Sequence, residues 1–115
     1  MVNLSLRRRG PKYFIYRLAP VNPEMLSRNP TPQEAEAVHY HYQYLKNLSD
    51  KGTVLIAGRT DTADDQTFGI VVLEASDEEQ ARAIMTHDPA ILRGIMTAEL
   101  YPFRLATIRK VSPEK

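Results

Sequence analysis

The sequence predicts an α+β fold of ferredoxin-like βαββαβ order, and three observations carry that prediction. Two amphipathic stretches open on capping residues, at Thr31 and at Ser76, and read as helices. Apolar runs rich in β-branched and aromatic residues flank them and read as strands. A polar segment between the second and third runs suits the tip of a hairpin. In chain order the elements are β, α, β, β, α, β, an antiparallel sheet with both main helices on one face.

Residues 1–12 have no clear period and carry Arg7, Arg8 and Arg9 ahead of a Gly10-Pro11 turn signal. They read as an arm, solvated or packed on a subunit, before a domain over residues 13–109 and a polar tail over 110–115. Tyr13-Phe14-Ile15-Tyr16-Arg17-Leu18 reads as the first strand, with Tyr13, Ile15 and Arg17 on one face and Phe14, Tyr16 and Leu18 on the other. From Pro20 to Pro32, four prolines and two asparagines predict a connecting loop without regular structure.

The long helix is marked at both ends. Thr31 is the N-cap, Pro32 fills N1 where its missing N–H costs nothing, and Glu34 at N3 completes a capping box. Gly52 supplies the stop, so the helix covers Pro32 to Asp50. At about 100° per residue, Glu34, Val38, His41, Leu45 and Leu48 share one face, with Ala37 and Tyr42 at its edges. His41 thus falls inside the apolar stripe, whereas His39, Tyr40 and Gln43 point outward.

Thr53 to Gly58 is the second strand, and the segment from Arg59 to Thr67 is the hairpin tip. Phe68 to Glu74 is apolar on both faces and therefore central in the sheet. Ser76 as N-cap with Glu79 at N3 opens the second helix, which buries Ala81, Ile84 and Met85 and ends near His87. Asp88-Pro89 is a fresh N-cap and N1 for one short helical turn that Gly94 closes. Met96 to Ile108 is the last strand, with Pro102 implying an edge position or a bulge.

The bulk composition excludes several classes of function. The chain has 115 residues, enough for one domain, and 15 basic against 14 acidic side chains leave a net charge of +1. So little charge offers no footprint for nucleic acid or an anionic membrane surface. Thr67-Phe68-Gly69-Ile70-Val71-Val72-Leu73 loosely follows an RNA-recognition strand but lacks its leading base and its further aromatics. No apolar run is long enough to span a membrane, and Val2 to Leu6 is too short and polar for a signal-peptide core. Without cysteine there is no thiol nucleophile, thiolate metal site or disulfide, which fits a reducing, cytoplasmic setting. The three histidines show no H-x-x-x-H or H-x-x-E spacing, so no metal is expected, and no glycine-rich loop or G-x-S-x-G elbow implies a nucleotide cofactor or a serine nucleophile.

With both helices on one face of the sheet, apolar residues of strands one, three and four are left on the other. A second copy of the chain is the simplest cover, which predicts a homodimer or higher oligomer with sheets packed face to face.

Taken together, Tyr13-Phe14-Ile15-Tyr16, His41-x-x-x-Leu45-x-x-Leu48-x-x-x-Gly52 running into Leu55-x-Ala57-Gly58, Glu74-Ala75-Ser76, Asp88-Pro89 with Gly94, and Pro102-Phe103 resemble the YCII-related (YciI-like) family over Tyr13 to Arg104. The resemblance implies a dimeric α+β barrel and an active site built on a His and an Asp, which map to His41 and Asp88. It also implies lyase, isomerase or dehydrohalogenase-type chemistry on a small-molecule ligand for some relatives. The arm before the first strand and the proline-rich loop depart from the family pattern.

Each candidate has a plain alternative. An imidazole on an inward helix face is either a hydrogen-bonded core residue or part of a pocket wall. Asp before Pro at a helix start is explained by capping alone, yet the same carboxylate is able to accept from an imidazole N–H and prepare a general base. Gly58 and Arg59, at the end of strand two, and Tyr16 and Arg17, at the end of strand one, are candidate substrate-binding residues; Arg59 has the fork that clamps a carboxylate. His87, beside Asp88, is a second proton carrier or a helix C-terminal partner of the dipole. The function that follows is His-Asp acid/base catalysis, or a non-catalytic ligand-binding module with the same cavity.

Overall fold

A computed structural model of the chain describes residues 12–109. Strand β1 (Lys12–Pro20) is followed by one helical turn, α1 (Glu24–Ser27), and the long helix α2 (Pro32–Asp50). Then come β2 (Val54–Arg59), β3 (Gly69–Ala75), helix α3 (Glu78–Thr86), the single turn α4 (Pro89–Leu92) and β4 (Met96–Phe103). The strands form one antiparallel sheet in the order β2-β3-β1-β4, the ferredoxin-like arrangement, with β1 and β3 central. The expected arm and tail lie outside the described residues, except that Lys12 already pairs with Ala75 as the first residue of β1.

Local chemistry explains the ends of α2. Thr31 Oγ1 accepts from Glu34 N at 3.1 Å and the Glu34 carboxylate accepts from Thr31 N at 2.9 Å, the reciprocal capping box. The same carboxylate accepts from Asn22 Nδ2 at 3.1 Å, which straps the proline-rich segment to the first turn of the helix. At the other end Gly52 takes φ +87°, a left-handed conformation that lets the chain reverse into β2.

Several boundaries differ from the sequence reading. The first strand runs on to Pro20, because β4 is long enough to pair with it and Val21 N still reaches Ile95 O at 2.9 Å. The segment from Pro20 to Pro32 contains the α1 turn, anchored by buried Met25. Helix α3 is capped by Asp77, which accepts from Gln80 N at 2.8 Å, while Ser76 donates to the Gln80 side chain. Both frames fit the capping pattern, and the carboxylate is the stronger match for the positive end of a helix. The last strand ends at Phe103 and lies at the sheet edge, with Pro102 opposite Phe14.

The core lies between the sheet and the helices. Phe14, Tyr16 and Leu18 from β1, Val54 from β2, Val71, Leu73 and Ala75 from β3, and Ala81 and Met85 from α3 form its buried cluster. Leu45, Leu48, Ile84, Ile91 and Leu100 pack around it. Alternation sends Tyr13, Ile15 and Arg17 to the opposite face, where register aligns them with Glu74, Val72 and Ile70 along β3 and with Phe103, Tyr101 and Glu99 on β4. Ile56 of β2 joins them, 62% exposed. Among the described residues, no helix covers this face.

Candidate functional site

Three elements converge on Asp88, which is fully buried. As the N-cap of α4, it accepts from Ala90 N through Oδ1 at 3.0 Å, and Pro89 sits at N1. His41, in the middle of α2, brings Nδ1 to the same oxygen at 2.7 Å. Tyr16, in the middle of β1 and also fully buried, donates its hydroxyl to Oδ2 at 2.8 Å. The carboxylate thus receives donors on both oxygens, and His41 Nε2 has no partner among the described residues.

His41 retains 15% side-chain exposure because it lines a cavity of about 540 Å³. The cavity is bounded mainly by apolar side chains, including Leu18, Val38, Leu45, Phe68, Val71 and Met96, with Lys46, Arg59 and Thr67 among its polar members. Such a site suits a compact, largely apolar ligand held by a few polar contacts. One edge of the imidazole is fixed by an anion, and Nε2 has no partner among the described residues. That is the arrangement of a general base with an orienting carboxylate, the imidazolium formed on proton uptake being balanced by Asp88.

The other sequence candidates are distributed as follows. Gly58 and Arg59 line the cavity, but Arg59 Nη1 donates to Thr60 O at 3.2 Å and Thr62 O at 2.9 Å, so its fork folds onto its own loop. Tyr16 meets Asp88 in the core rather than the cavity. Arg17 projects from the uncovered face of the sheet and stacks over Phe68, 4.4 Å from the ring centroid. His39 is exposed with its ring edge on Tyr40, and His87 points Nδ1 at Ala83 O at 2.7 Å, as a histidine ending a helix does. Among the described residues, no group of three or more His, Asp or Glu is placed to hold a metal ion.

Tyr44 is a site neighbour absent from the sequence reading. Its hydroxyl donates to Ile84 O at 2.6 Å, pinning α2 to α3 one turn beyond His41. Its spacing carried the signal: Tyr44 lies three residues after His41 and seven after buried Ala37. The inward stripe of α2 is therefore rotated toward Ala37 and Tyr44, and Val38 and Tyr42 turn to the cavity side.

Burial and the Asp88 charge have an electrostatic consequence for both phenols. Burial first, then the charge of Asp88 and its hydrogen bond, pushes the Tyr16 hydroxyl far above its usual range. Burial and then Asp88 push Tyr44 up to about 12. A phenol raised on folding contributes full stability below its unfolded pKa of 10.0 and loses it as pH climbs toward the folded value. For Tyr16 the loss is about 1.4 kcal/mol per pH unit above that point. Urea unfolding at pH 9, 10 and 11 is expected to show this decline, and Tyr16→Phe is expected to make it shallower, leaving the part that Tyr44 contributes.

The sequence pattern of one family, described as the YCII-related domain, matches residues 14–104. Among proteins of curated function, none matches this sequence. Among solved structures, the chain is similar to the 5-chloro-2-hydroxyhydroquinone dehydrochlorinase TftG of Burkholderia phenoliruptrix, solved with 2,5-dihydroxybenzoquinone. The match has 17% identity and a TM-score of 0.57, and covers 79% of this chain and 93% of that one. It is also similar to the uncharacterized protein TM1266 of Thermotoga maritima, with 11% identity, a TM-score of 0.51, and coverage of 83% and 100%. At these identities the likeness establishes the shared fold.

Proposed function

This chain belongs to the YCII-related family, and on that footing we propose that it is a small acid/base enzyme of the lyase or isomerase type. His41 is the general base, Asp88 orients and balances it, and the substrate is a compact phenolic or enolisable metabolite. The observation that carries this reading is the 2.7 Å contact between His41 Nδ1 and Asp88 Oδ1 at the wall of a cavity that His41 lines. Nε2 takes a proton from carbon or oxygen of the substrate, and in an elimination the released electron pair expels the leaving group on the adjacent carbon. In an isomerisation Nε2 returns the proton to another position of the substrate, and in an elimination it passes the proton to the departing group or to solvent, so the base regains its starting state.

A neighbour in fold that dehydrochlorinates a chlorinated hydroxyhydroquinone makes hydroxylated rings the first compounds to try. Chlorinated and unchlorinated quinols and enol acids are to be screened both for binding and for product release. Turnover is expected. A ligand that binds the cavity and leaves unchanged would instead identify a non-catalytic binding module.

The reading includes a homodimer formed through the uncovered sheet face. Its support is the breadth of apolar surface there, with Ile56, Tyr101 and Phe103 all exposed in one protomer. Face-to-face packing of two such sheets gives the barrel that the family resemblance implies.

A further inference from the structure

We propose that Tyr16 is a positioning residue for the His41–Asp88 pair: by holding Asp88 Oδ2, it determines on which ring nitrogen His41 carries its proton. The use made of that proton rests on the acid/base reading above, but the contact and its test do not. Tyr16 is the only hydrogen-bond partner of Oδ2 among the described residues, and its backbone is fixed by pairing with Val71 on one side and Leu100 on the other. The phenol cannot follow the carboxylate if the carboxylate turns.

The hydroxyl donates to Oδ2 and the Ala90 N–H donates to Oδ1, the pattern of an ionised carboxylate, which only accepts. An acceptor-only carboxylate forces His41 Nδ1 to be the donor in their 2.7 Å contact, since two acceptors make no bond. The ring is therefore held with Nδ1 protonated and the Nε2 lone pair bare, the form that a base facing the cavity requires. Without the phenol, Oδ2 is buried and unpartnered. Asp88 then gains by taking a proton or turning over, and a protonated Asp88 donates to Nδ1 and moves the imidazole proton to Nε2. Space-filling alone does not predict this: Phe fills the same volume in the core.

The test is the ring-nitrogen and Nδ1–H resonances of His41 in the intact chain, which require no substrate. The wild type is expected to show the Nδ1–H form with a downfield proton. Tyr16→Phe is expected to lose that proton and populate the Nε2–H form. Tyr44→Phe, which loses a partly buried hydroxyl bonded to Ile84 O, is expected to leave the His41 signals in place. Should Tyr16→Phe fail to fold, uniform incorporation of 3-fluorotyrosine keeps the question open to experiment. A more acidic phenol draws more charge from Asp88 and is expected to move the Nδ1–H signal upfield. Unchanged His41 resonances in Tyr16→Phe or in the fluorinated protein would overturn the proposal while leaving the acid/base reading standing. Full loss of turnover in His41→Gln bears only on that reading.

Discussion

Asp88→Asn is expected to lower turnover by about ten-thousand-fold while the chain still folds, the scale seen when the orienting acid of a His-based site is neutralised. The substitution keeps nearly the same volume, and it keeps an oxygen for the Ala90 N–H cap when the amide nitrogen turns toward Tyr16. It removes the charge that balances a protonated His41. It also sets an amide N–H₂ against either His41 or Tyr16, both of which present donors to the native carboxylate. If the amide faces His41, the ring answers with a bare Nδ1 and presents Nε2–H to the cavity, and no base remains. One donor in a buried cluster then lacks an acceptor, at a cost of about 1–3 kcal/mol in unfolding free energy. Steady-state kinetics on the substrate returned by the screen, with urea denaturation of the same sample, separates the two effects. Native turnover in Asp88→Asn would remove the carboxylate from the mechanism.

Ile56→Asp is expected to dissociate the proposed homodimer, raising its Kd by at least about thirty-fold, since an unpaired charge buried in an interface costs about 2 kcal/mol or more. In one protomer this side chain is 62% exposed on the uncovered sheet face, so the substitution leaves the protomer's own core untouched. Leu92→Asp is the matched control: Leu92 is 68% exposed but sits on α4, with the helices rather than on the open face. Sedimentation equilibrium of the two variants is expected to show dissociation only for Ile56→Asp. Equal mass for wild type and Ile56→Asp would place any assembly elsewhere.

How far the sequence reveals the site depends on how local each contact is. Thr31, Pro32 and Glu34 interact within one turn, so the start of α2 was readable to the residue. Asp88 was equally readable as a cap, because Pro89 and Ala90 follow it directly. Its bond to Tyr16 spans 72 positions and its bond to His41 spans 47, and no spacing rule reaches that far. Strand β1 shows the same limit. Alternation separated Tyr16 from Arg17, but both faces carry aromatic or aliphatic residues, so only the packing of α2 and α3 shows that Tyr16 points inward. The cavity wall came from position alone: Gly58 and Arg59 were placed there because β2 leaves the sheet at that point. That the Arg59 fork would be taken up by carbonyls of its own loop depends on the conformation of that loop.

The central claim is that His41 removes a proton from a ligand in the cavity, and transfer of solvent deuterium tests it most directly. The best-bound phenolic or enolisable compound is incubated in D₂O with wild type and with His41→Gln, and label on the ligand carbon is followed by mass. The account predicts steady incorporation by the wild type and a fall of about a hundred- to ten-thousand-fold in the variant, the range for loss of a general base. Incorporation at the same rate by both proteins would contradict it.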